Sequence, residues 1–165
     1  MSVAPAGSAA GVPGPGDAVA DFTAVSTGGD VRLAALRGNP VVLYFYPKND
    51  TPGCTAQAAD FRDRHAGFRA AGATVLGVSR DGLASHQRFK AKLDVPFELI
   101  SDPDEQLCRA FGVIKPKTLY GRTVRGIERS TFVIDGSGRI AGAWRAVSVP
   151  GHVDEVLSLV QSLPP

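Results

Sequence analysis

Residues 40–79 open with Pro40-Val-Val-Leu-Tyr-Phe-Tyr46, run through Pro47-Lys-Asn-Asp-Thr-Pro-Gly-Cys54 and close with Ala73-Thr-Val-Leu-Gly-Val-Ser79. The first run is β-branched, aliphatic and aromatic throughout, which suits a strand buried on both faces. Pro47 to Gly53 is polar and rich in turn formers. From Cys54 to about Ala71, the residues Ala58, Phe61, His65 and Phe68 recur at helical spacing, and Gly72 supplies a stop. The last run is again β-prone. Strand, helix and strand in this order form a right-handed crossover between parallel strands, so the sheet is at least partly parallel.

Outward from this unit, Ala84 to Leu93 reads as a helix and Phe97 to Ile100 as a short strand. Asp102-Pro-Asp104 is the acidic start of a third helix reaching about Phe111, where Gly112 ends it. Ser130 to Asp135 and Arg139 to Arg145 flank Gly136-Ser-Gly138, the pattern of an antiparallel hairpin. Val153, Val156, Leu157, Val160 and Leu163 mark an amphipathic C-terminal helix. Tyr120 and Arg122 fall in a polar, glycine-containing stretch that reads as a loop, and Trp144 reads as a packed strand residue. The sum is an α/β fold: a mixed β-sheet flanked by helices, in three layers.

Residues 1–16 carry no charged or aromatic side chain and many Ala, Gly, Pro and Ser, so a flexible tail is expected ahead of a single domain at 17–165. The chain of 165 residues is 44% hydrophobic and 21% charged, the balance of a soluble globular protein. No apolar run approaches the roughly 20 residues of a membrane span, and the start lacks the basic and apolar regions of a signal peptide. A cytoplasmic protein that binds neither membrane nor nucleic acid is expected: 18 Lys and Arg against 16 Asp and Glu are spread without a basic run. Two cysteines, Cys54 and Cys108, are too few for a disulfide scaffold and fit a reducing compartment. His65, His86 and His152 are scattered, so no metal is expected.

Pro47 to Cys54 joins the C-terminal end of a buried strand to a helix, the place where open α/β sheets bind ligands. Thr51 suits the N-cap and Pro52 the first helical position, which puts Cys54 in the first turn. Free N–H groups and the helix dipole there favour an anion, and thiols at such ends titrate at roughly 3.5–7.5 instead of about 8.5. A cysteine at this junction also serves as a small buried hydrophobe, and position alone admits both readings.

Pro47, Thr51 and Cys54 satisfy the pattern P-x-x-x-T-x-x-C, and with Tyr44 to Thr55 around them the stretch resembles the PrxQ/BCP (bacterioferritin comigratory protein) subgroup of the peroxiredoxins, in the AhpC/TSA family. The resemblance continues through Asp17 to Thr23, Phe61-Arg-Asp63, Gly77-Val-Ser79, Ser85-His86, Leu99 to Pro103, Phe111-Gly-Val113, Gly126 to Asp135, Trp144-Arg145 and Gly151-His152. It implies a thioredoxin-like fold and a peroxidase without cofactor, acting on hydrogen peroxide and organic hydroperoxides. It also implies that Cys54 is the peroxidatic nucleophile, with Arg129 the active-site arginine, Thr51 a hydrogen-bonding partner of the peroxide and Pro47 a shield for the sulfur. The oxidised Cys54, a sulfenic acid, then needs a second thiol.

Here the chain departs from its subgroup. Members carry that second thiol five residues after the first, where this chain has Ala59, or in the helix after the second core strand, where Lys90 stands. Cys108 remains, within an apolar stretch that favours packing. The expected cycle is therefore of the one-cysteine type, recycled by an external thiol reductant of the thioredoxin or glutaredoxin kind, in a monomer or weak dimer. The alternatives are a two-cysteine cycle resolved by Cys108, and a non-enzymatic redox sensor or chaperone. Thr51-Pro-Gly-Cys54 lacks the first thiol of a C-x-x-C pair, which argues against a disulfide reductase.

Overall fold

Residues 13–164 are described by a computed structural model. The core is built on β3 (Val41–Phe45), whose five residues are all buried. It pairs in parallel with β4 (Thr74–Ser79), which in turn pairs in parallel with β5 (Glu98–Ser101). On its other side β3 runs antiparallel to β8 (Ser130–Ile134), and β8 to β9 (Ile140–Trp144). A hairpin of β1 (Thr23–Ser26) and β2 (Gly29–Arg32) completes a mixed seven-stranded sheet in the order β2-β1-β5-β4-β3-β8-β9.

Alternate β3 residues face opposite layers. Val42 and Tyr44 join one core cluster, with Phe61 and Phe68 of the helices after β3 and Val153, Val156 and Val160 of the last helix. Val41, Leu43 and Phe45 join a second cluster with Leu107, Phe111 and Phe132 on the other face. Each fully buried side chain of this kind contributes about 1.5–3 kcal/mol through removal from water, so a one-residue register slip in β3 would turn both faces inside out.

The helix expected from Cys54 to Ala71 is two: α1 (Pro52–Asp63) and α2 (His65–Ala70). Arg64 separates them at φ −106°, ψ 8°, its carbonyl accepting from both Gly67 and Phe68 N–H groups while its side chain reaches Asp154. After β4 comes α3 (Leu83–Leu93). The helix expected from Asp102 begins later, as α4 (Gln106–Ala110): Glu105 is left-handed (φ 63°), and the Asp102 carboxylate accepts from the Leu107 and Cys108 N–H groups at 3.1 and 2.8 Å. The segment read as a loop around Tyr120 and Arg122 is a two-stranded ribbon, β6 (Ile114–Leu119) with β7 (Arg122–Ile127), turning through Tyr120 and Gly121, both at positive φ. The C-terminal helix is α5 (His152–Ser162).

The first twelve residues of the expected tail lie outside the described residues. Its last four are held against the sheet: Gly16 N–H donates to the Ile140 carbonyl, Gly14 N–H to Asp17, and the Pro13 carbonyl accepts from Arg145. Among the described residues no helix is long and apolar enough to cross a membrane.

Candidate active site

At the C-terminal edge of the sheet β3 gives way to a loop, Tyr46 to Thr51, in which Asp50 is left-handed (φ 63°). Thr51 occupies the N-cap position of α1 in extended conformation, but its hydroxyl caps no N–H group. Oγ1 donates instead to the Lys48 carbonyl at 2.8 Å, which leaves its lone pairs for another donor. Pro47 is half-buried at the start of the same loop.

Cys54 is the third residue of α1 and 1% exposed. The first helical bond runs from Thr55 N–H to the Thr51 carbonyl at 2.9 Å, so the Gly53 and Cys54 N–H groups precede the ladder. Arg129 arrives from the other side of β3. The register that sets Ser130 opposite Phe45 brings Arg129 to the edge where α1 begins, and its carbonyl is fixed by Val147 N–H at 2.9 Å. Its Nη2 donates to Cys54 Sγ at 3.4 Å and its Nη1 to Gln57 Oε1 at 2.6 Å. A Cβ on Gly53 would stand 3.0 Å from Nη2, so the absence of a side chain there permits the approach. Among the described residues Arg129 makes no ion pair, with Glu128 or any other carboxylate. An unpaired, partly buried guanidinium aimed at sulfur stabilises negative charge there.

Three neighbours were not singled out by the sequence. Gln57, fully buried one turn after Cys54, fixes the guanidinium, while its Nε2 has no hydrogen-bond partner among the described residues. Its spacing of three from Cys54 is the signal that could have found it. Tyr44 OH is also buried, without a hydrogen-bond partner among the described residues; burial, reinforced by Cys54, pushes its pKa far up and keeps it neutral. His152 sits 2.8 Å from Thr131 Oγ1, and burial, with the charge of Arg129 adding to it, pushes its pKa down to about 4.

The arrangement brings Cys54, Thr51 and Arg129 to one helix start and leaves Cys108 elsewhere. Cys108 is completely buried in the cluster on the opposite face of the sheet, where burial, followed by the neighbouring Asp102, pushes its thiol far up and keeps it protonated. Both cysteines are free. Lys90, on α3, pairs with Glu98 at 2.7 Å. A surface cleft of about 880 Å³, bounded by Pro40, Gly72, Gly136 and Leu163, lies at the opposite edge of the sheet from Cys54.

The model of the AhpC/TSA family matches residues 15–143. Peroxiredoxin Bcp of Xanthomonas campestris is 50% identical over 138 residues, covering 84% of this chain and 86% of its own. Peroxiredoxin Bcp of Bacillus subtilis is 46% identical over 136 residues, covering 82% and 87%. Solved structures of Xanthomonas campestris Peroxiredoxin Q superpose with a TM-score of 0.82 at 48% identity, over 86% of this chain and 90% of theirs. Two of these are mutants with serine replacing one or the other of two cysteines, which are spaced there as Cys54 and Lys90 are here.

Proposed function

The chain belongs to the AhpC/TSA family of thiol-dependent peroxidases, and on that footing we propose that Cys54 reduces hydrogen peroxide and organic hydroperoxides in a cycle completed by an external thiol. The observation that carries this reading is the Arg129 guanidinium donating to Cys54 Sγ at 3.4 Å in the first turn of α1.

The sulfur, as thiolate, attacks the nearer peroxide oxygen in line. An S–O bond forms, the O–O bond breaks, sulfur loses two electrons, and the departing oxygen leaves as alkoxide or hydroxide that takes up a proton. Arg129 and the N–H groups of Gly53 and Cys54 stabilise the charge shifting onto that oxygen, the Thr51 hydroxyl orients the peroxide, and Pro47 limits access by shape. The sulfenic acid of Cys54 then condenses with an external thiol, releasing water, and a second thiol frees Cys54 as the disulfide of the reductant leaves.

An external thiol is favoured by where the other candidates stand. Ala59 carries no sulfur, Lys90 is engaged with Glu98, and Cys108 is buried beyond the sheet with its thiol held protonated. A reductant of the thioredoxin or glutaredoxin kind and a reducing compartment such as the cytoplasm complete the reading. Turnover is tested with Cys54→Ser, which abolishes peroxide consumption on this account; consumption at the wild-type rate would remove Cys54 from the reaction.

A further inference from the structure

We infer that Asn49 and His86 are positioning residues for the peroxide site, through a closed ring of hydrogen bonds that anchors the Pro47–Thr51 loop to β4 and α3; the inference rests on the reading of Cys54 as the peroxide-reactive thiol. Asn49 is 5% exposed although it belongs to a turn, and His86 is fully buried on α3.

The proton on each atom follows from the ring itself. The Asp81 carboxylate only accepts, and takes Asn49 N–H at 2.9 Å and Ser79 O–H at 2.7 Å. Having donated to Asp81, Ser79 Oγ accepts from His86 Nε2, 3.4 Å away, so the imidazole proton lies on Nε2. His86 Nδ1 is then the acceptor for Asn49 Nδ2 at 3.1 Å, which brings the ring back to Asn49. The second Nδ2 proton goes to Ser85 Oγ at 3.1 Å, and Asn49 Oδ1 takes Tyr46 O–H at 2.7 Å. Every polar atom of the Asn49 side chain is thus used, and burial lowers the pKa of His86, which favours the neutral imidazole the ring requires.

Asn49 therefore ties the loop that carries Pro47 and Thr51 to the ends of β4 and α3. With Cys54 only 1% exposed, the placing of this loop governs how a peroxide meets the sulfur. Misplacement of a reacting partner by 1 Å costs up to about a hundredfold in rate.

The test compares peroxide oxidation of Cys54, followed by sulfenic-acid trapping, with its alkylation by iodoacetamide, which needs a reactive thiol but no oriented peroxide. Asn49→Ala should slow oxidation by about tenfold or more while alkylation stays the same or quickens. The His86 pair separates positioning from simple packing. Asparagine places its carbonyl oxygen two bonds from Cβ, as Nδ1 is, and keeps the acceptor; glutamine places its own three bonds away, as Nε2 is, and loses it. His86→Asn should stay within about threefold of wild type and His86→Gln fall with Asn49→Ala. Unchanged oxidation in Asn49→Ala, a parallel fall in alkylation, or equal rates for the two His86 variants would each overturn the inference. Should Asn49→Ala fail to fold, the His86 pair decides. A wild-type protein whose Cys54 is not oxidised by peroxide would instead overturn the functional reading itself.

Discussion

Cys54 and Cys108 lie on opposite faces of the same sheet, Cys54 packed with Val42 and Tyr44 and Cys108 with Leu43 and Phe45, the alternate residues of β3. A disulfide needs Cα atoms within about 7 Å and Cβ vectors that converge, so these two thiols cannot join while α1 and α4 keep their places.

Cys108→Ser is therefore expected to keep peroxide turnover with an external thiol, while losing about 1–3 kcal/mol of stability because a hydroxyl replaces a thiol in an apolar cluster. Steady-state kinetics beside urea unfolding checks both parts, and abolished turnover in a folded variant would make Cys108 part of the cycle.

Arg129→Ala is expected to slow the oxidation of Cys54 by roughly a hundredfold, the usual cost of removing one donor that stabilises developing charge. Gln57→Ala acts through Arg129, which it holds at 2.6 Å, and should cost less than Arg129→Ala itself. Stopped-flow rates with hydrogen peroxide test the order; an unimpaired Arg129→Ala variant removes the guanidinium from the chemistry.

His152 gives the fold an acid limb. Its pKa is near 6.5 when unfolded and about 4 in the fold, so between these values the unfolded chain binds the extra proton. The stability it contributes is present above pH 6.5 and is lost as pH falls towards 4, on the order of 3 kcal/mol. His152→Gln, which keeps an amide near Thr131 Oγ1, should show a shallower loss of stability across that window. An unchanged limb would assign it to other groups.

Glu105 binds the ribbon β6–β7 to the body of the protein. Its carboxylate accepts from Arg125 at 2.8 Å through both nitrogens, and from Arg80 and Arg109, and hydrogen bonds led by those of Arg125 hold its pKa down to about 2. Glu105→Gln should speed hydrogen exchange in Arg122–Ile127 while leaving β3 protected; uniform exchange across both would deny it this local role.

What was legible in the sequence follows from burial. β3, β4, β8 and β9 announce themselves by apolar runs that the two core clusters demand, and α3 and α5 by their spacing. The ribbon β6–β7 escaped because Lys115, Lys117, Arg122 and Arg125 serve no core face, and its turn places a tyrosine, Tyr120, at φ 53° where glycine or asparagine is the usual sign. The start of α4 moved because its cap is Asp102, reaching over a left-handed Glu105 that no local pattern reveals. At the site, the position of Cys54 could be read from Thr51 and Pro52, whereas the contact of Cys54 with Arg129 depends on the pairing of β3 with β8. The ring through Asn49, Ser79, Asp81 and His86 was invisible for the same reason: its members meet only when β4 and α3 are packed beside the loop.

The most direct test of the central claim is the intact mass of the reduced protein after a substoichiometric pulse of hydrogen peroxide with a sulfenic-acid trap present, followed by peptide mapping. The account predicts a trapped adduct on Cys54 with Cys108 still a thiol. A loss of two hydrogens with Cys54 joined to Cys108 would contradict it.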